Sequence, residues 1–131
     1  MALHVFDVTS AAYAAQPCPV IHRELRHENI VTYIGTQVED EVVYIFTDWV
    51  SGGSLHDIIK KFGSMNEELV RRYARQILRG LVHLHDYNVA HRDIKPGNLL
   101  VGSSGIVKLA DFGASRRLGP GVLSLRRRKV W

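Results

Sequence analysis

A single cysteine, Cys18, stands in 131 residues. No intramolecular disulfide framework can form, and no Cys/His set has the spacing of a structural zinc site, so a reducing, intracellular setting is the default expectation. Nothing near Cys18 in sequence would lower its pKa, and it reads as an ordinary thiol. No apolar run approaches the ~20 residues of a membrane-spanning helix. The N-terminus lacks a basic n-region, and His4 and Asp7 interrupt its apolar residues, which is poor signal-peptide chemistry. Basic residues outnumber acidic ones, 17 to 13, but they are scattered apart from Arg126-Arg127-Arg128-Lys129. That gives nucleic-acid binding little support. These absences point to a soluble, cytoplasmic protein with neither nucleic acid nor membrane as partner.

The 46% hydrophobic content over this length can bury one modest core. Residues 1–20 are Ala-rich, and Pro17 and Pro19 oppose a continuous helix there. No motif is legible in that segment. Two β-branched and aromatic runs, Val31–Ile34 and Val42–Thr47, flank Glu39-Asp40-Glu41 and predict a β-hairpin. Ser54 with Asp57 caps a short helix carrying Leu55, Ile58, Ile59 and Phe62, and Gly63 stops it. Ser64 with Glu67 repeats the pattern ahead of a long amphipathic helix, in which Leu69, Tyr73, Ile77, Leu81 and Leu84 recur at spacings of three and four. Short strands follow at Val89-Ala90, Leu99–Val101 and Val107–Leu109, the last two joined by a glycine-bounded turn. His83 and His85, two apart on a helix, face different ways and are not a metal pair.

Chemistry is concentrated in the loops between these strands. His91-Arg92-Asp93-Ile94-Lys95-Pro96-Gly97-Asn98 precedes Asp111-Phe112-Gly113 across the hairpin. This pair resembles the catalytic loop and the Asp-Phe-Gly segment of protein kinases. The resemblance implies that Asp93 is the carboxylate that receives the substrate hydroxyl's proton and that Lys95 contacts the transferring phosphate. It likewise implies Asn98 and Asp111 as oxygen ligands for Mg2+ bridging the phosphates of ATP. Lysine at 95 is the serine/threonine form of the loop, so a protein serine or threonine is the expected acceptor.

The resemblance runs from about Arg23 to Leu118. Leu25-Arg26-His27-Glu28-Asn29-Ile30-Val31 is similar to the end of the regulatory helix, and Ile45 to Leu55 to a hinge. It implies Thr47 as gatekeeper, backbone groups of Asp48 and Val50 as adenine contacts, and Leu100 beneath the base. The motif wording is most similar to mitogen-activated protein kinase kinase kinases, which implies association with other kinases of a signalling cascade.

The chain departs from the family pattern at both ends. No glycine-rich loop is present, and no lysine precedes Lys60 to serve as the strand lysine. The regulatory-helix glutamate falls at Cys18, with Pro19 next, and an apolar spine position falls at His22. No Ala-Pro-Glu follows Leu118. The expectation is therefore an α+β, partial kinase-like fold: a remnant of the N-lobe sheet, a hinge and the first part of the helical C-lobe. Its parts would be a divergent segment at 1–20, the partial domain at 21–118 and a basic, poorly ordered tail at 119–131. As a truncated copy it would be inactive alone, marginally stable and left with uncovered apolar surface, on the long helix and on a hairpin without partner strands. The alternative is a non-catalytic remnant that binds other proteins.

Overall fold

The computed structural model describes residues 2–7, 24–40 and 42–119. The readings at Pro17, Cys18, Pro19, His22 and the basic run 126–129 lie outside these residues.

The first sheet comprises β1 (Ala2–Asp7), β2 (Tyr33–Glu39) and β3 (Val42–Thr47), with β3 in the centre. Along β3 burial alternates, with Val43, Ile45 and Thr47 inward, as period-two apolar patterning dictates. The hairpin is present, but its first strand starts at Tyr33, not Val31. The Val31 N–H is bonded to Leu109 O at 3.0 Å and the Thr32 N–H to Asp48 Oδ1 at 2.7 Å, so both residues are held elsewhere. Asp40, at φ +47, makes the reversal. The expectation of a hairpin without partner strands is corrected: β1 pairs antiparallel with β3 from Ala2↔Thr47 to Asp7↔Val42. That strand lies in a segment where no sequence element was legible.

Helix α1 spans Leu55–Phe62, with Ser54 accepting from the Asp57 N–H at 3.1 Å and Gly63 closing it at φ +84. Helix α2 spans Glu67–Asp86, and its cap is Asn66, not Ser64: Asn66 Oδ1 accepts from the Leu69 N–H at 2.8 Å. Met65, just ahead of the cap, packs on the core. The inner face of α2 presents Tyr73, Ile77, Leu81 and Leu84 to the core, whereas Leu69, the first residue of the expected series, is half-buried outside that cluster. Gly80 lies where α2 meets the strands; a Cβ there would sit 2.9 Å from Asn29 O and from Leu109 Cδ1. No helix among the described residues is long and apolar enough to cross a membrane.

After α2 come β4 (Val89–Ala90), β5 (Leu99–Val101), β6 (Val107–Leu109) and β7 (Arg116–Arg117). Strands β5 and β6 form a hairpin, and β4 pairs with β7. One core joins the parts: Leu25, Ile30, Val43, Ile45, Leu84, Leu99, Val107, Leu109 and Phe112 are all buried in it. The architecture is α+β, with a small sheet, a linker, and helices that carry one short hairpin and a second two-stranded pair.

Candidate active site

The β5–β6 register is Leu99↔Leu109 and Val101↔Val107, and the Ala110 N–H extends it by donating to Asn98 O at 2.9 Å. Asn98 therefore stands opposite Ala110, and Asp111 is one residue beyond. Pro96, at the start of a 3-10 turn over Pro96–Asn98, sets the approach of Asn98 to β5.

Asn98 is buried, and its Nδ2 donates to Asp93 Oδ2 at 2.8 Å and to Asp93 O at 2.9 Å. Lys95 Nζ donates to the same Oδ2 at 2.7 Å. These bonds, Lys95 first and then Asn98, hold the Asp93 carboxyl below the usual range, and Asp93 in turn raises Lys95. Asp111 adds a weaker electrostatic contribution to the raising of Lys95. The fold joins Asp93, Lys95 and Asn98 by hydrogen bonds, and Asp111 follows Ala110, whose N–H is bonded to Asn98 O.

Asp111 adopts φ +58, in the left-handed region. Its side chain is exposed while that of Phe112, the next residue, is buried against the His91 ring at a centroid distance of 4.8 Å. Arg92, at φ +71, is a second left-handed residue of the same loop. Backbone strain of this kind gathers at sites where surrounding structure over-determines it.

His91 was quoted in the motif but given no role, and it proves to be the strut beneath the loop. It is 2% exposed, lies 3.0 Å from Ala110 O through Nε2, and receives the Asp93 N–H at Nδ1 at 3.3 Å. A carbonyl can only accept and an amide N–H can only donate, so the ring is neutral with its proton on Nε2. Burial lowers its pKa, against the opposing pull of Asp111 and Asp93, and keeps it so.

Val50 and Leu100 lie in one small apolar cluster with Val31 and Ala110, beside the polar loop. The last two were not singled out in the sequence; the hairpin register, which sets Ala110 opposite Asn98, was the available signal. Asp48 uses its N–H on Thr32 O at 2.9 Å, and its carboxylate takes the Thr32 N–H at 2.7 Å and Lys108 Nζ at 3.4 Å. Of its backbone groups the carbonyl is left, touched by Thr47 Oγ1 at 3.4 Å. The Val50 N–H is engaged by no described hydrogen bond. Thr47 is 3% exposed at the end of the central strand. The following turn is clamped to β5: Gly52 N–H donates to Val101 O at 2.9 Å, and a Cβ at Gly52 would meet that oxygen at 2.3 Å.

The donor set suits a hard cation. Asn98 spends its amide nitrogen on Asp93, leaving Oδ1, and Asp111 Oδ1 accepts from the Gly113 N–H at 3.2 Å, leaving Oδ2. Among the described residues no group of three or more His, Cys, Asp or Glu gathers. Two oxygens with the remaining positions open match the way magnesium is held beside phosphates.

The family model for the protein kinase domain matches residues 19–128. The chain belongs to the protein kinase family. Within this family it is similar to mitogen-activated protein kinase kinase kinase YODA of Arabidopsis thaliana, 42% identical over 124 residues, which cover 93% of this chain and 14% of that protein. It is also similar to serine/threonine-protein kinase STE11 of Saccharomyces cerevisiae, 45% identical over 98 residues, 75% of this chain and 14% of that one. Mitogen-activated protein kinase kinase kinase 19 of Mus musculus is 47% identical over 96 residues, 73% of this chain and 7% of that protein. The chain thus spans a small part of the length of these kinases.

Proposed function

We propose that this chain supplies the catalytic-loop and metal-binding part of a serine/threonine protein kinase of a mitogen-activated cascade. The reaction is transfer of the ATP γ-phosphoryl group to a protein serine or threonine. The observation that carries it is the bonding of Lys95 and Asn98 to one carboxylate oxygen of Asp93, with Asp111 one residue beyond Ala110, the partner of Asn98.

Each side chain has a distinct task. Asp93 Oδ2 is taken by Lys95 and Asn98, so Oδ1 is the oxygen that accepts the substrate hydroxyl's hydrogen bond. With its pKa lowered, Asp93 orients the hydroxyl first and takes its proton late, as suits a loose phosphoryl transition state. Lys95, paired in this state, turns to the transferring phosphate. Asn98 Oδ1 and Asp111 would hold Mg2+, which supplies positive charge against the phosphate oxygens. The adenine would rest on Val50, Leu100, Val31 and Ala110 and bond the Asp48 carbonyl and the Val50 N–H. A cytoplasmic setting and association with the other kinases of the cascade belong to this reading.

No lysine precedes Lys60 among these 131 residues, so none of them is assigned as a strand lysine that clamps the phosphates. The chain by itself is therefore proposed to bind magnesium nucleotide without efficient turnover; the same absence favours the second reading, a non-catalytic protein-binding role. Thermal-shift and radiolabel-transfer assays test both. A magnesium-dependent shift with ATP and no transfer is the expected result. Transfer to casein that Asp93→Asn abolishes would overturn the non-catalytic part while supporting the role of Asp93. Absence of any shift at millimolar ATP would sink the nucleotide reading.

A further inference from the structure

Lys108 stands on β6, the strand that leads to Asp111, yet its side chain ends beside Asp48, in the linker that follows β3. Its Nζ is 3.4 Å from Asp48 Oδ2 and donates to Ile30 O at 3.4 Å. The two side chains are 21% and 33% exposed, so the pair is largely shielded from water. Asp48 splits its carboxylate: Oδ2 faces Lys108, while Oδ1 accepts the Thr32 N–H at 2.7 Å.

The backbone already connects the same two regions. Residues 29–32 are bonded to β6 on one side, through Leu109 N–H to Asn29 O at 2.9 Å and Val31 N–H to Leu109 O at 3.0 Å. On the other side they hold Asp48, whose N–H donates to Thr32 O at 2.9 Å. Connectivity therefore does not require the lysine. What Lys108 supplies is a counter-charge. A shielded carboxylate without its cation turns toward water, and here that movement would release the Thr32 N–H and the peptide plane that carries the Asp48 carbonyl.

We propose that Lys108 and the Asp48 side chain are positioning residues for nucleotide binding: their pairing fixes the Asp48 carbonyl that faces adenine relative to the strand that delivers Asp111. The inference rests on the nucleotide reading given above. Neither side chain touches the nucleotide; both act through the backbone, as a shell that holds a binding group in its productive geometry. Lys108 is already engaged with two oxygens, so it is not a free cation for the phosphates.

The test is calorimetric titration of the full chain with magnesium ATP, comparing the parent with Lys108→Met, Asp48→Asn, the double variant and Lys108→Arg. Asparagine at 48 keeps an oxygen for the Thr32 N–H, so that variant removes the charge alone. Each single variant is expected to bind about fivefold more weakly. The double variant should be no weaker than the worse single one, since both remove one interaction, and Lys108→Arg should bind as the parent does. A bulk effect of charge on the anionic nucleotide would move the two single variants in opposite directions, and that result overturns the proposal. Additive losses, a Lys108→Arg variant as weak as Lys108→Met, or binding indifferent to both single variants overturns it too, with the nucleotide reading intact. Absence of binding by the parent sinks that reading and this inference with it.

Discussion

The side-chain amide of Asn98 spends both its hydrogens on Asp93, one on the carboxylate at 2.8 Å and one on the backbone carbonyl at 2.9 Å. A residue assigned to the metal is therefore also the clasp of the catalytic loop. The carbonyl oxygen that remains is the atom able to face a cation.

Asn98→Ala removes both bonds at a buried position. Each is worth about 1 kcal/mol net, so the variant should lose about 1–2 kcal/mol of stability, read from the urea midpoint. An unchanged midpoint would mean the clasp contributes nothing.

Gly80 and Gly97 make a matched pair. A Cβ at Gly80 meets a backbone oxygen and Leu109 at 2.9 Å, whereas at Gly97 nothing lies within 4 Å. Gly80→Ala gains about 1 kcal/mol of helix propensity yet should still destabilise, since overpacking a close crossing costs about 1–3 kcal/mol. Gly97→Ala should stay within about 0.5 kcal/mol of the parent. Denaturation curves that rank the two variants the other way would contradict this packing of α2.

Stability should fall as pH drops through the histidine range. His91 is held below the ordinary value chiefly by burial, and His27 by burial and then by His83, whose ring lies 4.8 Å away. The unfolded chain binds protons at these groups from about pH 6.5 downward while the folded chain does not, so acid favours unfolding there. The Asp93 carboxyl is also lowered, so its contribution has the same sign but is lost only as pH falls through the ordinary carboxylate range, well below this window. Urea midpoints at about pH 7.5 and about pH 5.5 should differ, and His27→Gln should narrow the gap. A flat profile would contradict the burial of both rings.

Much of this site was legible because its parts are local in sequence. Ser54 with Asp57, and Gly63 after Phe62, announce α1 through capping chemistry alone. The β5–β6 hairpin is bounded by its own turn, with Gly105 at φ +74, so the approach of Asn98 to Asp111 follows from register. What escaped depends on distant partners. Strand β1 is specified by pairing with β3, some forty residues away, and leaves no periodic signature strong enough to read. The displaced start of β2 is set by Leu109 and Asp48, and the role of His91 by Ala110, none of them sequence neighbours. The cap at Asn66 is the milder case: Ser64 and Asn66 are similar capping residues, and local chemistry does not choose between them.

Calorimetric titration of the chain with ATP, with and without magnesium, reaches the central claim most directly. The account predicts that tight binding requires magnesium and that Asp111→Asn weakens it about tenfold or more, while nucleotide alone binds both proteins equally poorly. Binding that is indifferent to magnesium, or undiminished by Asp111→Asn, would contradict it.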